Sequence, residues 1–64
     1  MPLQPRELVV LALLSRGHAF GDLPRILHTT PERVRVLADA AAARLGATGW
    51  AQAVAEAKRR GLID

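Results

Sequence analysis

Apolar residues recur along this chain at helical spacing, and glycines and prolines divide the pattern into four segments. The first predicted helix begins at Pro5, because the fixed φ of proline suits the first turn of a helix. It is expected to end near Arg16, with Gly17 as the left-handed residue that follows. A loop is predicted over residues 17–21.

Three more helices are predicted after this loop. They are expected over Leu23–Leu27, from Thr30 to Leu45, and from Thr48 or Gly49 to Arg60. Asp22 and Thr30 are the predicted N-caps of the second and third helices, since their side-chain oxygens accept from free backbone N–H groups. Gly46 and Gly61 are expected to end the third and fourth helices. The sequence therefore predicts an all-α domain over residues 1–64.

At 100° per residue, the first three helices each place their apolar residues on one face. The predicted core consists of Val10, Leu11, Leu14, Leu23, Ile26, Leu27, Val34, Leu37, Ala38, Ala41 and Leu45. The fourth helix carries Ala51, Val54, Ala55 and Lys58 on one side, with Ala53 and Ala57 nearby. Its small side chains permit close backbone approach and are typical of a helix–helix contact.

The length of the chain limits what these helices can do alone. A core in 64 residues rarely supplies more than about 3–5 kcal/mol of net stability, so a second copy is an expected partner. Without cysteine, no disulfide or thiolate metal site can add to that stability. The longest apolar run, from Leu8 to Leu14, is too short to span a membrane. We expect a cytoplasmic protein without a membrane partner.

The charge of the chain is modest. Its formal net charge is +3, and the high isoelectric point mainly reflects arginines, which do not titrate in the accessible pH range. This charge permits phosphate binding without requiring it, so the position of each arginine decides.

The second helix, the turn over residues 28–30 and the long third helix outline a helix-turn-helix. A set of residues at defined spacing runs from Leu3 to Ile63 without a gap: Leu3-Gln4-Pro5-Arg6-Glu7, Val10-Leu11, Gly17, Leu27, Thr30, Val34, Arg44-Leu45-Gly46, Ala51-Gln52-Ala53-Val54-Ala55 and Arg60-Gly61-Leu62-Ile63. In these residues the chain resembles the LuxR/GerE/NarL-type helix-turn-helix of bacterial regulators.

This resemblance implies a four-helix domain that dimerises through its fourth helix and reads double-stranded DNA with the third. The candidate DNA-binding residues are Arg33, Arg35, Val36, Asp39, Ala40 and Arg44, and the candidate dimer contacts are Ala51, Val54, Ala55 and Lys58. Arg35 can bind guanine O6 and N7, and Val36 or Ala40 can meet a thymine methyl group. Asp39 can accept from cytosine N4, while Arg33 and Arg44 can hold phosphates.

Two alternatives remain open at this point. Arg35 and Asp39 are four residues apart, so they can instead form a solvated ion pair on the surface of the helix. The domain as a whole can be a degenerate helix-turn-helix that self-associates or docks on another regulator protein. Leu37, Asp39 and the run Ala40–Ala43 favour this second reading, as does the apolar outer side of the first helix at Leu8 and Val9.

The sequence shows no arrangement typical of an enzyme or a cofactor site. His18 and His28 lie in predicted loops without neighbouring cysteines or paired carboxylates, which disfavours a metal site or a general base. Glu7 is the one acid on a predicted core face, and its expected partner is Arg44 or Arg33. Trp50 is predicted to pack in the core, at its edge, or in an interface.

Overall fold

A computed structural model describes residues 2–64, and these residues form four helices and no strand. The helices are α1 (Pro5–Ser15), α2 (Leu23–Ile26), α3 (Pro31–Arg44) and α4 (Trp50–Arg59). Each predicted helix is present, and each ends within one residue of its expected end. The all-α prediction is confirmed. Within the described residues, no helix is long and apolar enough to cross a membrane.

Local side-chain chemistry explains where α1 begins and ends. The Gln4 N–H donates to Glu7 Oε1 at 2.9 Å, so the carboxylate in the first turn satisfies a backbone donor that the helix leaves free. After α1, Gly17 has φ +94°, a left-handed conformation that glycine adopts without a Cβ clash. The predicted stop at Gly17 is therefore confirmed.

The predicted cap of α2 is wrong. Residues Phe20–Asp22 form a turn of 3₁₀ helix that runs directly into α2, so Asp22 already has helical dihedral angles, φ −88° and ψ −15°. Its side chain makes no capping hydrogen bond and lies 3.8 Å from the Arg25 guanidinium instead. Because the 3₁₀ turn leads directly into α2, no separate N-cap residue marks the start of this helix.

The core has two adjoining parts, both of which use α1 and α3. One part joins α1, α3 and α4 through Leu11, Ala41, Ala42, Leu45, Ala53 and Ala57. The other joins α1, α2 and α3 through Val10, Leu14, Leu23, Val34 and Ala38. Of the predicted core, Ile26, Leu27 and Leu37 are only partly buried, at the edge of the second part.

Helix α4 approaches the rest of the domain through alanines. Ala53 and Ala57, one turn apart, are fully buried against α1 and α3, and Val54 packs against both parts of the core.

At the end of α4, Glu56 pairs with Arg59 and with Arg60, whose Nε lies 3.0 Å from the carboxylate. This pairing holds the pKa of Glu56 at about 2, through hydrogen bonds from Arg59 first and Arg60 second.

The outer side of α1 and the single tryptophan have separate neighbours. Leu8 is partly buried and shares two surface clefts with Leu62, at the end of the chain, whereas Val9 is 44% exposed. The rings of Trp50 and Phe20 pack against each other with centroids 5.8 Å apart and an interplanar angle of 37°. Trp50 therefore joins the start of α4 to the 3₁₀ turn before α2, and 43% of its surface stays exposed.

Candidate nucleic-acid interface

The turn between α2 and α3 is closed by backbone hydrogen bonds at a left-handed residue. His28 has φ +54°, while its N–H donates to the Arg25 carbonyl and the Thr29 N–H donates to the Pro24 carbonyl at 2.9 Å. This pair of bonds is a Schellman motif, in which a non-glycine residue occupies the position that glycine usually takes. Histidine tolerates this conformation better than most side chains do. The turn joins α2 to α3 without a long loop, and the two helices pack against each other.

Helix α3 begins as the sequence predicts. Thr30 has extended dihedral angles, and its Oγ1 accepts from the Arg33 N–H at 3.1 Å. Pro31 takes the first position of the helix, where a missing N–H costs nothing, and Glu32 lies in the first turn. The capping bond fixes the start of α3 and, with it, the direction in which Arg33 leaves the helix.

The side of α3 opposite the core is exposed to solvent. Arg33, Arg35, Val36 and Asp39 are all exposed, with Val36 at 61%, while Ala40 is partly buried. The core positions of the same helix, Val34, Ala38, Ala41 and Ala42, face α1, α2 and α4. Five of the six candidate DNA-binding positions therefore lie on or beside one accessible strip of helix, and we call this strip the α3 outer face.

An ion pair lies on the α3 outer face. Arg35 Nε is 3.9 Å from Asp39 Oδ2, and both side chains are 76% exposed. Pairs of this kind contribute only a few tenths of a kcal/mol, because water screens both charges. The pairing considered from the sequence is present, yet it is too weak to prevent Arg35 from turning toward a stronger partner.

The sixth candidate, Arg44, is held within the fold. Its Nη1 donates to Oε2 of Glu7, whose residue surface is only 3% exposed. Of the two partners expected for Glu7, Arg44 and Arg33, the structure confirms Arg44. This guanidinium therefore bridges α3 to α1 and serves a contact inside the fold.

The environment of Glu7 shifts its titration. Burial desolvates the carboxylate and raises its pKa. The hydrogen bonds from the Gln4 N–H and from Arg44, together with the charge of Arg44, lower the pKa by more than burial raises it. The net pKa lies below the ordinary value of 4.5. Glu7 therefore stays ionised at neutral pH and serves both as the cap of α1 and as the partner of Arg44.

The proposed dimer contacts divide between surface and core. Ala51, Ala55 and Lys58 are exposed on one side of α4, opposite the buried pair Ala53 and Ala57. Val54 is partly buried and already packs against both parts of the core. The surface that α4 offers to a partner is thus narrow, polar at Lys58 and lined by methyl groups.

A cleft of about 300 Å³ lies beside the α3 outer face, between α1, the α2–α3 turn and α3. Its polar lining includes Arg6, His28 and Arg33, and its apolar lining includes Val9, Leu27 and Leu37. We call it the Arg6–Arg33 cleft. Sequence reasoning missed Arg6, because Arg6 and Arg33 are far apart in the chain and only the packing of α1 on α3 brings them together.

Comparison of the chain with protein-family models, curated proteins and solved structures finds no match.

Proposed function

We propose that this chain is a LuxR-type helix-turn-helix domain that binds double-stranded DNA as a homodimer and controls transcription in the bacterial cytoplasm. The observation that supports it most is the short α2, the closed turn at His28 and the long α3, whose outer face presents two arginines. In this motif the second helix enters the major groove, which is about 12 Å wide and admits an α-helix.

The side chains of the α3 outer face divide the tasks of such a complex. Arg35 donates to guanine O6 and N7, a bidentate contact worth about 1–3 kcal/mol of discrimination against the wrong base. This gain exceeds the few tenths of a kcal/mol that separation from Asp39 costs. Val36 meets a thymine methyl group, and Arg33, at the capped start of α3, contacts a backbone phosphate.

Two copies would pair through the exposed side of α4. Ala51 and Ala55 allow two α4 helices to approach closely, and a twofold axis between them would relate the two copies. A dimer also extends a core that is small for an independent domain.

A second candidate function is an interaction module with little affinity for DNA. The observation that favours it is the chemistry of the α3 outer face, where the carboxylate of Asp39 repels phosphate and Val36 is 61% exposed. An apolar side chain this exposed on a helix is also suited to a protein surface.

A fluorescence anisotropy titration with a mixed-sequence duplex at several salt concentrations tests DNA binding directly. The logarithm of affinity should fall linearly with the logarithm of salt concentration, with a slope of about −0.9 per phosphate neutralised. In titrations of several duplexes that differ in sequence, Arg35→Ala should reduce the differences in affinity among them, whereas Arg16→Ala, at an exposed arginine that directly follows α1, should not. Absence of binding at low salt rules out the DNA function and leaves the interaction module.

Light scattering tests the dimer. Ala55→Glu places a charge on the exposed side of α4 and should shift the protein toward the monomer mass. Ala19→Glu is the control, because Ala19 is an exposed alanine in the loop before α2. If the wild-type protein and both variants are monomers at high concentration, α4 is not a dimer interface.

A further inference from the structure

The arginines of this chain separate into two groups once their partners are identified. In residues 2–64, carboxylates lie within ion-pair distance of Arg25, Arg35, Arg44, Arg59 and Arg60. Arg6, Arg16 and Arg33 have no such partner within the described part of the chain. Two of these three, Arg6 and Arg33, line the same cleft.

The Arg6–Arg33 cleft combines uncompensated positive charge with an apolar floor. No carboxylate contributes to its lining within the described residues, and His28 adds a third nitrogen-bearing side chain. Val9 is 44% exposed there, and Leu27 and Leu37 are only partly buried. Such a surface binds most favourably a ligand that covers the apolar floor and places negative charge at the rim.

We propose that the Arg6–Arg33 cleft is a docking site for an acidic segment of a partner protein, with an apolar side chain seated between carboxylates. Charge complementarity favours carboxylates in the ligand, because the guanidinium groups of Arg6 and Arg33 present several N–H donors and have no acidic partner within the described residues. The floor formed by Val9, Leu27 and Leu37 selects a leucine-like side chain over a purely polar segment.

The size of the cleft favours a protein segment over a cofactor. About 300 Å³ is at the lower limit of pockets that enclose small molecules, so it holds an apolar side chain and little more. A DNA strand meets the charge of the arginines but offers little to the apolar floor. The carboxylate-rich apolar segment satisfies both halves of the lining.

A partner in the cleft would also affect DNA binding. This effect, unlike the docking site itself, rests on the proposed DNA function. Arg33 lies both in the cleft and at the start of the α3 outer face, so an acidic segment on Arg33 competes with a phosphate for the same guanidinium. A partner docked in the cleft would therefore displace DNA.

The test uses a fluorescent peptide, Asp-Glu-Leu-Leu-Asp-Glu, titrated with the full chain and followed by anisotropy. Two control peptides keep the length: one replaces every acid by its amide, and the other replaces both leucines by serine. Arg6→Gln and Arg16→Gln form a matched pair of protein variants, since both residues are exposed arginines on or next to α1 without an acid partner in residues 2–64. Circular dichroism verifies that both variants keep the helical content of the wild-type protein.

We expect the acidic leucine peptide to bind and both control peptides to bind more weakly. Arg6→Gln should weaken binding about threefold, as expected for one exposed ion pair, while Arg16→Gln leaves it unchanged. Equal losses in the two variants indicate general charge attraction and overturn the proposal. It is equally overturned if the peptide does not bind, or if Arg6→Gln weakens duplex DNA and leaves the peptide unaffected, since the cleft is then a phosphate site.

Discussion

The buried ion pair between α1 and α3 allows a quantitative prediction about stability. Glu7→Gln keeps the shape of the side chain and removes its charge. One amide oxygen then replaces two carboxylate oxygens that accept separately from the Gln4 N–H and from Arg44. Whichever donor the glutamine satisfies, its own NH₂ group faces the other donor. The variant therefore loses one hydrogen bond and leaves the guanidinium of Arg44 without a countercharge.

The burial of the two side chains sets the size of the effect. Removal of one partner from a fully buried pair costs about 3–5 kcal/mol, and a hydrogen bond to a charged group is worth about 1.5–3 kcal/mol. The Glu7 side chain is 4% exposed, but the Arg44 side chain is 25% exposed and water still reaches it. We therefore expect a loss of about 2–3 kcal/mol, which lowers the melting temperature by roughly 10–20 °C in a domain of this size.

The pH dependence provides an independent check. Because the folded pKa of Glu7 lies below its ordinary value of 4.5, the carboxylate contributes stability that is fully present above that value. This contribution is lost as the pH falls through the folded pKa. The difference in stability between wild type and Glu7→Gln should accordingly narrow on acidification, since the wild-type protein alone loses the charge of Glu7.

Thermal and urea unfolding, followed by circular dichroism, measure both effects. Glu32→Gln is the matched control, because Glu32 is exposed, lies in the first turn of α3 and lacks an ion-pair partner within the described residues. It should lower stability by only a few tenths of a kcal/mol, through the helix dipole. Equal melting temperatures for wild type and Glu7→Gln, or equal losses in the two variants, would refute the role assigned to the pair.

Three further substitutions test local features of the fold by urea unfolding. His28→Gly should stabilise the protein by up to about 1 kcal/mol, because glycine relieves the left-handed strain at φ +54°; a clear loss of stability would show that the imidazole makes a necessary contact. Thr30→Ala should cost about 1 kcal/mol, since the Arg33 N–H loses its acceptor, and an unchanged midpoint would contradict that cap. Ala53→Leu should destabilise the protein by about 1–3 kcal/mol through overpacking, whereas Ala43→Leu, at an exposed alanine of α3, should be tolerated; equal effects would contradict the burial of Ala53.

The ends of the helices could be predicted because short-range chemistry determines them. Gly17, Gly46 and Gly61 all have positive φ, and Thr30 makes the predicted capping bond. The prediction failed at Asp22, where a good capping residue stands inside a continuous run of helical backbone. A cap is recognised from its residue type, but whether it is needed depends on the conformation of the residues before it.

The candidate site was harder to predict because its parts come from different helices. Helical periodicity correctly predicts that Arg35 and Asp39 are exposed, and their separation by four residues explains their pairing. The sequence indicated Arg44 or Arg33 as the partner of Glu7 without deciding between them, and it could not show that Arg6 stands beside Arg33. Both contacts arise from the packing of α1 on α3, which the patterns of the separate helices leave undetermined.

The distribution of the arginines explains why the DNA proposal includes a dimer. Five of the eight arginines have carboxylate partners in residues 2–64, and one of these, Arg44, is used in the core of the fold. On the α3 outer face of one copy, Arg33 and Arg35 are exposed, and Asp39 offsets part of their charge. Since affinity for DNA grows with the number of phosphates neutralised, the proposed dimer would double the contacts that one copy could make.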